Sequence, residues 1–260
     1  MSSRRRSIFR LGGKIPMKVI HAVWEKRNLG VDCYEVELEE QDSFDEFKAW
    51  ENNACGEYMV VKVPVERDDI FLKMSSLGYT FIEMATQCHY DNTREFVLNS
   101  VQKRLMDQIS CVPMDSESLD YMFCQMEARL FVTDRIAIDP YFSVEMANHR
   151  YIGWIKDEIE RGATIYKILY RDNHVGFMGM KLRADGQCYA FLGGIYKKFQ
   201  RIGIGSIMNY LEIIEAKKCG ATKLYSAFSS NNRGAYAVHL FMGYILDKSY
   251  YVYIKHLNNK

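Results

Sequence analysis

Residues 200–205 have the composition of a phosphate-binding turn. They read Gln-Arg-Ile-Gly-Ile-Gly, and glycines let the backbone approach a ligand closely. An apolar run over residues 191–195 precedes them, and a segment with helical periodicity over residues 206–218 follows. The pattern predicts a strand, a glycine turn and a helix N-terminus, where free N–H groups and the helix dipole favour an anion.

The C-terminal half supplies the elements that must hold this turn. Asp185-Gly186 is a strong hairpin dipeptide, so the strands before the turn are expected to form an antiparallel meander. The predicted elements are a helix over 143–161, strands over 164–170, 175–182, 187–195 and 222–228, a helix over 232–242, and one or two strands over 244–255.

The N-terminal half has a similar alternation of elements but no glycine turn. Its predicted strands cover 18–24, 32–39, 57–64 and 79–90, with a turn over 25–30, helices over 43–52, 68–77 and 95–109, and a helix running into a strand over 119–133. Leu77-Gly78-Tyr79 echoes Met242-Gly243-Tyr244, each between a helix and a strand. The halves are either diverged copies of one unit or alike by chance, and only the second should bind phosphate.

Three segments follow from these patterns. Residues 1–16 are expected to form a flexible leader, residues 17–130 an N-terminal domain and residues 131–260 a catalytic domain.

Composition limits the functional classes. The 260 residues are 48% hydrophobic and carry a formal net charge of +1, which argues against a dedicated nucleic-acid or membrane-surface protein. No apolar run approaches the ~20 residues that span a bilayer. Seven scattered cysteines without a C-x-x-C pair disfavour a disulfide framework and a zinc site. We therefore expect a cytoplasmic protein without a metal, a nucleic-acid partner or a membrane partner.

Two common phosphate motifs fit poorly. The turn lacks the Lys-Ser/Thr end of a P-loop, and it has two glycines where a dinucleotide fingerprint needs three.

A better match is the Q/R-x-x-G-x-G/A segment of the GNAT family of acetyl-CoA-dependent N-acetyltransferases. Gln200, Gly203 and Gly205 occupy its fixed positions, and Ile195 takes the usual valine place. Asn232-Arg233-Gly234-Ala235, followed by Gly243-Tyr244, resembles the second signature of that family.

The resemblance implies a fold and a co-substrate. The fold would be an α/β (α+β) GNAT fold with a splayed, mixed, mostly antiparallel sheet, preceded by a smaller degenerate GNAT-like half. Acetyl-CoA would bind mainly to backbone groups, its pantetheine arm in the splay and its pyrophosphate on the glycine turn. The implied cofactor-binding residues are Leu192, Gly194, Ile195, Gln200, Arg201, Ile202, Gly203, Ile204, Gly205, Ser206, Asn232 and Ala235.

Outside these motifs the chain is similar to GNAT enzymes that acetylate a dTDP-4-amino-4,6-dideoxy sugar, the dTDP-fucosamine type. The points of contact are residues 24–30, 139–142, 151–155 and 250–255. This narrower resemblance implies a nucleotide-linked amino sugar as the acceptor.

A proton donor for the leaving thiolate is expected on the helix after Asn232. The narrower family has a tyrosine seven residues after this asparagine, where this chain has His239. A histidine titrates near neutral pH, so His239 is a candidate acid, and so is Tyr236 on nearly the same helix face. Packing against the sheet is the alternative for both.

The resemblance implies direct attack of an amine on the thioester, with a backbone N–H near Ile195 stabilising the oxyanion. His149, Asp139 and Glu145 are unranked candidates for the base. Trp24, Tyr151 and Trp154 are candidate walls of a sugar pocket, or core residues.

Two other functions stay open at this point. One is a GNAT enzyme that acetylates a protein or a small-molecule amine. The other is a catalytically degenerate acyl-CoA sensor or scaffold, which His239 in place of tyrosine would fit. A homodimer is compatible with either.

Overall fold

The computed structural model describes residues 17–257. Within this part the chain forms two compact units, the first of residues 17–85 and 248–257 and the second of residues 86–247. Both passages between the units lie inside long strands, so neither falls in a linker.

The sequence suggests a boundary at residue 130 instead. The difference arises because a strand and two helices before that residue belong to the second unit. The leader predicted for residues 1–16 lies outside the described residues, and the roles predicted for the two domains stay predictions.

The first unit is a sheet covered by short helices. Its elements are β1 (Lys18–His21), α1 (Val23–Leu29), β2 (Cys33–Glu37), α2 (Phe44–Glu51), β3 (Tyr58–Pro64), α3 (Asp68–Met74), the first half of β4 (Thr80–Asp91) and most of β10 (Ile245–His256). The strand order in this unit is β1-β2-β3-β10-β4. Strands β2 and β3 are parallel, whereas β1 with β2 and β3 with β10 are antiparallel. Phe47, Ile70 and Met74 bury the helices against this sheet.

The second unit contains the predicted glycine turn. Its elements are the end of β4, α4 (Ser100–Met106), β5 (Ile109–Pro113), α5 (Ser116–Glu127), α6 (Arg135–Ile138), α7 (Val144–Glu160), β6 (Thr164–Tyr170), β7 (Asn173–Leu182), β8 (Cys188–Ile195), α8 (Ile204–Lys218), β9 (Lys223–Ser229), α9 (Arg233–Phe241) and the start of β10. The strand order is β4-β9-β8-β7-β6-β5; β8 and β9 pair in parallel, whereas β5 with β6, β6 with β7 and β7 with β8 are antiparallel.

Both faces of the sheet in the second unit are covered. Alternation along β8 sends Cys188 and Ala190 to a core shared with α8, and Tyr189 and Phe191 to a core shared with α5 and α7. We call these the α8 face and the α7 face.

Several local features of the sequence explain where elements begin and turn. Ser43 caps α2 and Ser143 caps α7, each by accepting a hydrogen bond from a backbone N–H three residues later. Gly186 turns the β7–β8 hairpin with a φ of 78°. The last predicted strand is one continuous strand, β10.

The strand predicted over 18–24 is present but shorter, and the turn predicted over 25–30 is wrong. The strand ends at His21, and helix α1 occupies the predicted turn. Gly30 ends α1 in a left-handed conformation with its N–H bonded to the carbonyl of Lys26. The buried side chains of Glu25 and Leu29 hold one face of this helix against the unit.

Residues 95–133 also differ from the prediction. The helix is shorter, because Asn99 and Gln102 form a capping box that starts α4, and Ile109 begins β5, which pairs with β6. The strand predicted to end at residue 133 is absent, and residues 128–133 form neither strand nor helix. The side-chain amide of Asn148 instead bonds both the N–H and the C=O of Phe131, at 3.0 and 2.9 Å. No helix among residues 17–257 is long and apolar enough to cross a membrane.

Candidate active site

Strands β8 and β9 separate after two pairs of residues. Cys188 pairs with Leu224 and Tyr189 with Tyr225, and the register ends there. The rest of β8 is paired only with β7 on its other side. The two strands therefore bound a gap that begins beyond Tyr189 and Tyr225.

A β-bulge lies where β8 leaves β9. Met180 pairs with Ala190 and Gly179 with Leu192, so Phe191 is the extra residue. A bulge bends its strand and increases the local twist. The bulge therefore accompanies the separation of β8 from β9.

The edge of β8 presents free backbone groups to the gap. The N–H of Tyr196 bonds to β7 at 2.9 Å. Because backbone groups alternate along an antiparallel ladder, those of Gly194 and Leu192 also point to β7. Those of Gly193 and Ile195 point to the gap. Gly193 was not among the residues predicted to bind the co-substrate, because its orientation follows from strand alternation only when the register is known.

The glycine turn follows β8. The side-chain nitrogen of Gln200 donates to the carbonyl of Ile195 at 2.9 Å, so this glutamine closes the turn. Arg201 and Gly203 both have positive φ, at 67° and 89°. A positive φ is strained for arginine and free for glycine, and such strain concentrates at functional sites. Ile202, between them, is 48% exposed.

Helix α8 begins with an open N-terminus. Its N-cap is Gly203, and no side chain caps it. A Cβ at Gly205 would meet nothing within 4 Å, so open space lies beside the first turn. Ile204 is buried, and the hydroxyl of Ser206 donates to the carbonyl of Gly203 at 3.1 Å. The first N–H groups of α8 thus meet the geometric conditions for an anion site.

The start of α9 uses Asn232 as a cap. Its side-chain oxygen accepts from the N–H of Ala235 at 3.0 Å. Asn232 therefore fixes the start of α9, and its side-chain amide nitrogen can still donate to a ligand.

His239 is enclosed and has a partner on each ring nitrogen. Nδ1 donates to the carbonyl of Ala235 at 2.8 Å, because a carbonyl can only accept. Nε2 then accepts from the hydroxyl of Ser226 at 3.1 Å. Burial lowers the pKa of His239, which favours the neutral ring. This arrangement weighs against His239 as a proton donor.

Tyr236 lies in a different environment. Its ring packs edge-on against Phe228, with centroids 5.3 Å apart, and Phe228 lies on the part of β9 beyond its pairing with β8. Tyr236 is 39% exposed. Among residues 17–257 its hydroxyl has no hydrogen-bond partner, so its proton is available.

The candidate bases have other roles. Asp139 is buried and accepts from the N–H of Tyr141 at 3.0 Å, which fixes a turn. Glu145 pairs with Arg129, and hydrogen bonds from its own N–H and from Arg129 lower its pKa. His149 is exposed on α7.

The predicted pocket walls divide between the two units. Trp154 on α7 packs against Phe191 with ring centroids 5.5 Å apart, and Tyr151 lies beside it. Trp24 lies on α1 of the first unit.

No group of three or more His, Cys, Asp or Glu residues in the described part of the chain could hold a metal ion. None of the seven cysteines, all of which lie in residues 17–257, forms a disulfide.

An antiparallel meander followed by a parallel pair that splits beside a glycine turn is the arrangement of the GNAT fold. No protein-family model and no curated protein matches the chain. Solved structures do. A conserved protein of unknown function from Staphylococcus epidermidis ATCC 12228 has a TM-score of 0.62 at 12% identity, over 96% of this chain and 95% of that one.

Two further structures carry the name of the fold. A GCN5-related N-acetyltransferase from Sphaerobacter thermophilus has a TM-score of 0.60 at 11% identity, over 92% of this chain and 76% of that one. A tandem GNAT protein from the clavulanic acid biosynthesis pathway has 0.54 at 10% identity, over 95% and 81%. At such identities the likeness concerns the fold: this chain has a tandem GNAT fold, as the sequence predicted.

Proposed function

We propose that the protein is an acetyl-CoA-dependent N-acetyltransferase of the GNAT family. The observation that carries the proposal is the gap between β8 and β9 followed directly by the uncapped N-terminus of α8. Such a gap suits an extended pantetheine arm, which can bond to the backbone groups of Gly193 and to the N–H of Ile195. The N–H groups of Ile204, Gly205 and Ser206 suit the pyrophosphate.

The reaction is a direct transfer. The neutral acceptor amine attacks the thioester carbonyl, a C–N bond forms, and the C–S bond breaks. A backbone N–H on the free edge of β8 stabilises the oxyanion. The amine loses a proton to a base, and the departing thiolate gains one from an acid.

We assign the acid to Tyr236 before His239. Tyr236 lies over the unpaired end of β9 with a free hydroxyl, whereas both nitrogens of His239 are engaged. His239 then holds α9 against β9 through Ser226, and Tyr236 gains a fixed position from this packing.

For the acceptor we propose a nucleotide-linked amino sugar. The support is the sequence similarity to the dTDP-amino-sugar enzymes and the aromatic surface that Tyr151 and Trp154 form beside Phe191. A cytoplasmic location and a homodimer fit such an enzyme. A protein amine or a small-molecule amine is the alternative acceptor.

The test uses Gly205→Glu, with Gly205→Ala as the matched control. A glutamate in the first turn of α8 favours the helix dipole, and the space beside Gly205 is open, so both variants should fold. We expect Gly205→Glu to weaken acetyl-CoA binding at least about 100-fold by charge repulsion, and Gly205→Ala much less.

Titration calorimetry with acetyl-CoA measures this affinity. Full affinity in Gly205→Glu would contradict the proposal that the pyrophosphate binds at the N-terminus of α8. Release of free thiol from acetyl-CoA with a panel of amines then tests turnover. Tight binding without thiol release on any amine would favour the sensor function instead.

A further inference from the structure

The α7 face carries a group of polar and aromatic side chains at the start of the gap. Tyr225 is the last residue of β9 that pairs with β8, and its ring lies 5.7 Å from the ring of His89 on β4. The guanidinium of Arg183, in the β7–β8 hairpin, lies 4.6 Å from the ring centre of Tyr225 and 4.9 Å from that of Tyr189. His89, Asp247, Arg183, Tyr189 and Tyr225 all belong to the second unit, and we call them the β4–β9 cluster.

His89 has the arrangement of a base. Its Nδ1 lies 2.7 Å from a carboxylate oxygen of Asp247 on β10. Because a carboxylate accepts hydrogen bonds, Nδ1 carries the hydrogen and Nε2 keeps its lone pair. The side chain of His89 is 11% exposed, and Nε2 has no hydrogen-bond partner among the described residues. Nε2 is not fully enclosed by protein atoms, so a water or a ligand can reach it.

Arg183 is a cation without an anion. It is exposed, it stacks over two tyrosines, and no carboxylate in the described part of the chain pairs with it. Stacking fixes the guanidinium plane, and a guanidinium held in this way binds a carboxylate or a phosphate with two parallel hydrogen bonds.

We propose that the β4–β9 cluster is the acceptor site for an amine that also carries an anionic carboxylate or phosphate group. Arg183 binds the anion, and Nε2 of His89 takes the proton that the acceptor nitrogen loses, while Asp247 stabilises the resulting imidazolium. The proton then passes to solvent. The proposal rests on the proposed acetyl transfer, because the gap that would hold the thioester begins at Tyr189 and Tyr225.

The anion is tested with pairs of amines that differ only in charge. Phosphoethanolamine against ethanolamine tests the phosphate, and β-alanine against propylamine tests the carboxylate. A dTDP-4-amino-4,6-dideoxy sugar adds the nucleotide diphosphate. The variant is Arg183→Gln. Arg171→Gln is the matched control, because Arg171 also lies in a hairpin over a tyrosine, Tyr170.

We expect the wild type to prefer the anionic member of at least one pair. Arg183→Gln should raise its KM at least about 10-fold and leave the neutral amine and acetyl-CoA affinity unchanged; one lost charge-assisted hydrogen-bonded contact has this size. Arg171→Gln should keep the preference. Equal KM values within every pair, or a preference that survives in Arg183→Gln, would overturn the anion site.

The base is tested with His89→Gln and Asp247→Asn. We expect His89→Gln to lower kcat about 100-fold near neutral pH, with a smaller loss in Asp247→Asn. The loss should shrink at high pH, because hydroxide in the solvent can then take the proton in place of His89. The other charged or titratable groups near His89 are Asp91 on its own strand, Tyr225 on β9 and Arg183 in the hairpin. A loss that is constant with pH would assign His89 a structural role.

Failure of the proposed acetyl transfer can be told apart from failure of the anion site. If no amine releases thiol, calorimetric titration of phosphoethanolamine and β-alanine still reports on the cluster. Binding that Arg183→Gln abolishes would support the anion site in a protein that is not a transferase. Absence of binding together with absence of turnover would overturn it.

Discussion

Two βαβ units of this chain have the same connection but differ in the pairing of their parallel strands and in the capping of their helix. In β2-α2-β3 the parallel strands pair over five residues, from Cys33 with Tyr58 to Glu37 with Lys62. In β8-α8-β9 the pairing stops after two residues. The N-terminus of α2 is closed by a capping box of Ser43 and Glu46, whereas that of α8 has a glycine and no side-chain cap.

The difference shows what makes a helix N-terminus available. In α2 the side chains of Ser43 and Glu46 already satisfy backbone donors, and Asp45 adds negative charge to the first turn. An anion at the N-terminus of α2 would find these backbone donors already bonded, and the negative charge of Asp45 would repel it. In α8 no acidic residue lies in the first turn, so donors and dipole stay free. This contrast supports our proposal that acetyl-CoA binds to the second unit alone.

The next helix in each unit sharpens the contrast. Aligning Gly78 with Gly243 places Met74 opposite His239 and Phe71 opposite Tyr236. Met74 and His239 are both buried against their sheets, so this position serves packing in the two copies. The hydroxyl of Tyr236 has no counterpart in Phe71.

The largest effect is expected for Tyr236→Phe, which makes α9 resemble α3. Removal of a proton donor typically costs 10²–10⁴-fold in rate, so we expect kcat to fall at least about 100-fold with acetyl-CoA affinity unchanged. His239→Gln is the control. It should lower the stability of the protein and reduce kcat less than Tyr236→Phe does. Steady-state thiol release and calorimetry measure both. A larger kcat loss in His239→Gln would return the acid to His239.

A second contrast concerns two buried carboxylates. Glu51 in α2 pairs with Lys255 at 2.6 Å, and its side chain is 8% exposed. Glu212 in α8 has no cation beside it, and burial raises its pKa to about 8.

Glu51→Gln should therefore destabilise the protein. A hydrogen bond between charged groups contributes about 1.5–3 kcal/mol, and the substitution leaves Lys255 without its partner. We expect a loss of that size in the free energy of unfolding at pH 7, measured by urea denaturation. Unchanged stability would mean that water replaces the carboxylate at no cost.

Glu212→Gln should instead stabilise the protein above about pH 4.5, the ordinary pKa of a glutamate, and increasingly so up to about pH 8. Because folding raises the pKa of Glu212, the native state holds a proton that the unfolded state releases, and stability falls as the pH rises toward 8. One pKa unit corresponds to ~1.4 kcal/mol, so we expect a gain of at least that size at pH 8 and almost none at pH 4. Urea titrations at both pH values measure it, and an equal gain at pH 4 would contradict the titration of Glu212.

The sequence predicted those features that depend on neighbouring residues. The glycine turn, the helix over 143–161 and the Asp185-Gly186 hairpin each need only local contacts. The short helix α1 was missed because it has no side-chain cap and follows directly on a strand. Strand β5 was missed because its pairing with β6 is between distant segments.

The site divides in the same way. The glycine turn and α9 were found from spacing, but His89 and Asp247 are 158 residues apart and meet only through the order of the strands. Arg183 gives no signal in the sequence, because its role depends on the two tyrosines that lie under it.

The smallest effect is expected for a substitution at the capped helix α2, which should leave function unchanged. Ser43→Ala removes the side-chain acceptor of the capping box and should cost about 1 kcal/mol of stability. It exposes N–H groups at α2 much as Gly203 leaves them exposed at α8. If free donors alone made an anion site, this variant would gain a second acetyl-CoA site. We expect none, because β2 and β3 stay paired and Asp45 stays in the first turn; calorimetry with acetyl-CoA should give the wild-type stoichiometry. An increased stoichiometry would show that the cap, and not the gap between strands, separates the two units.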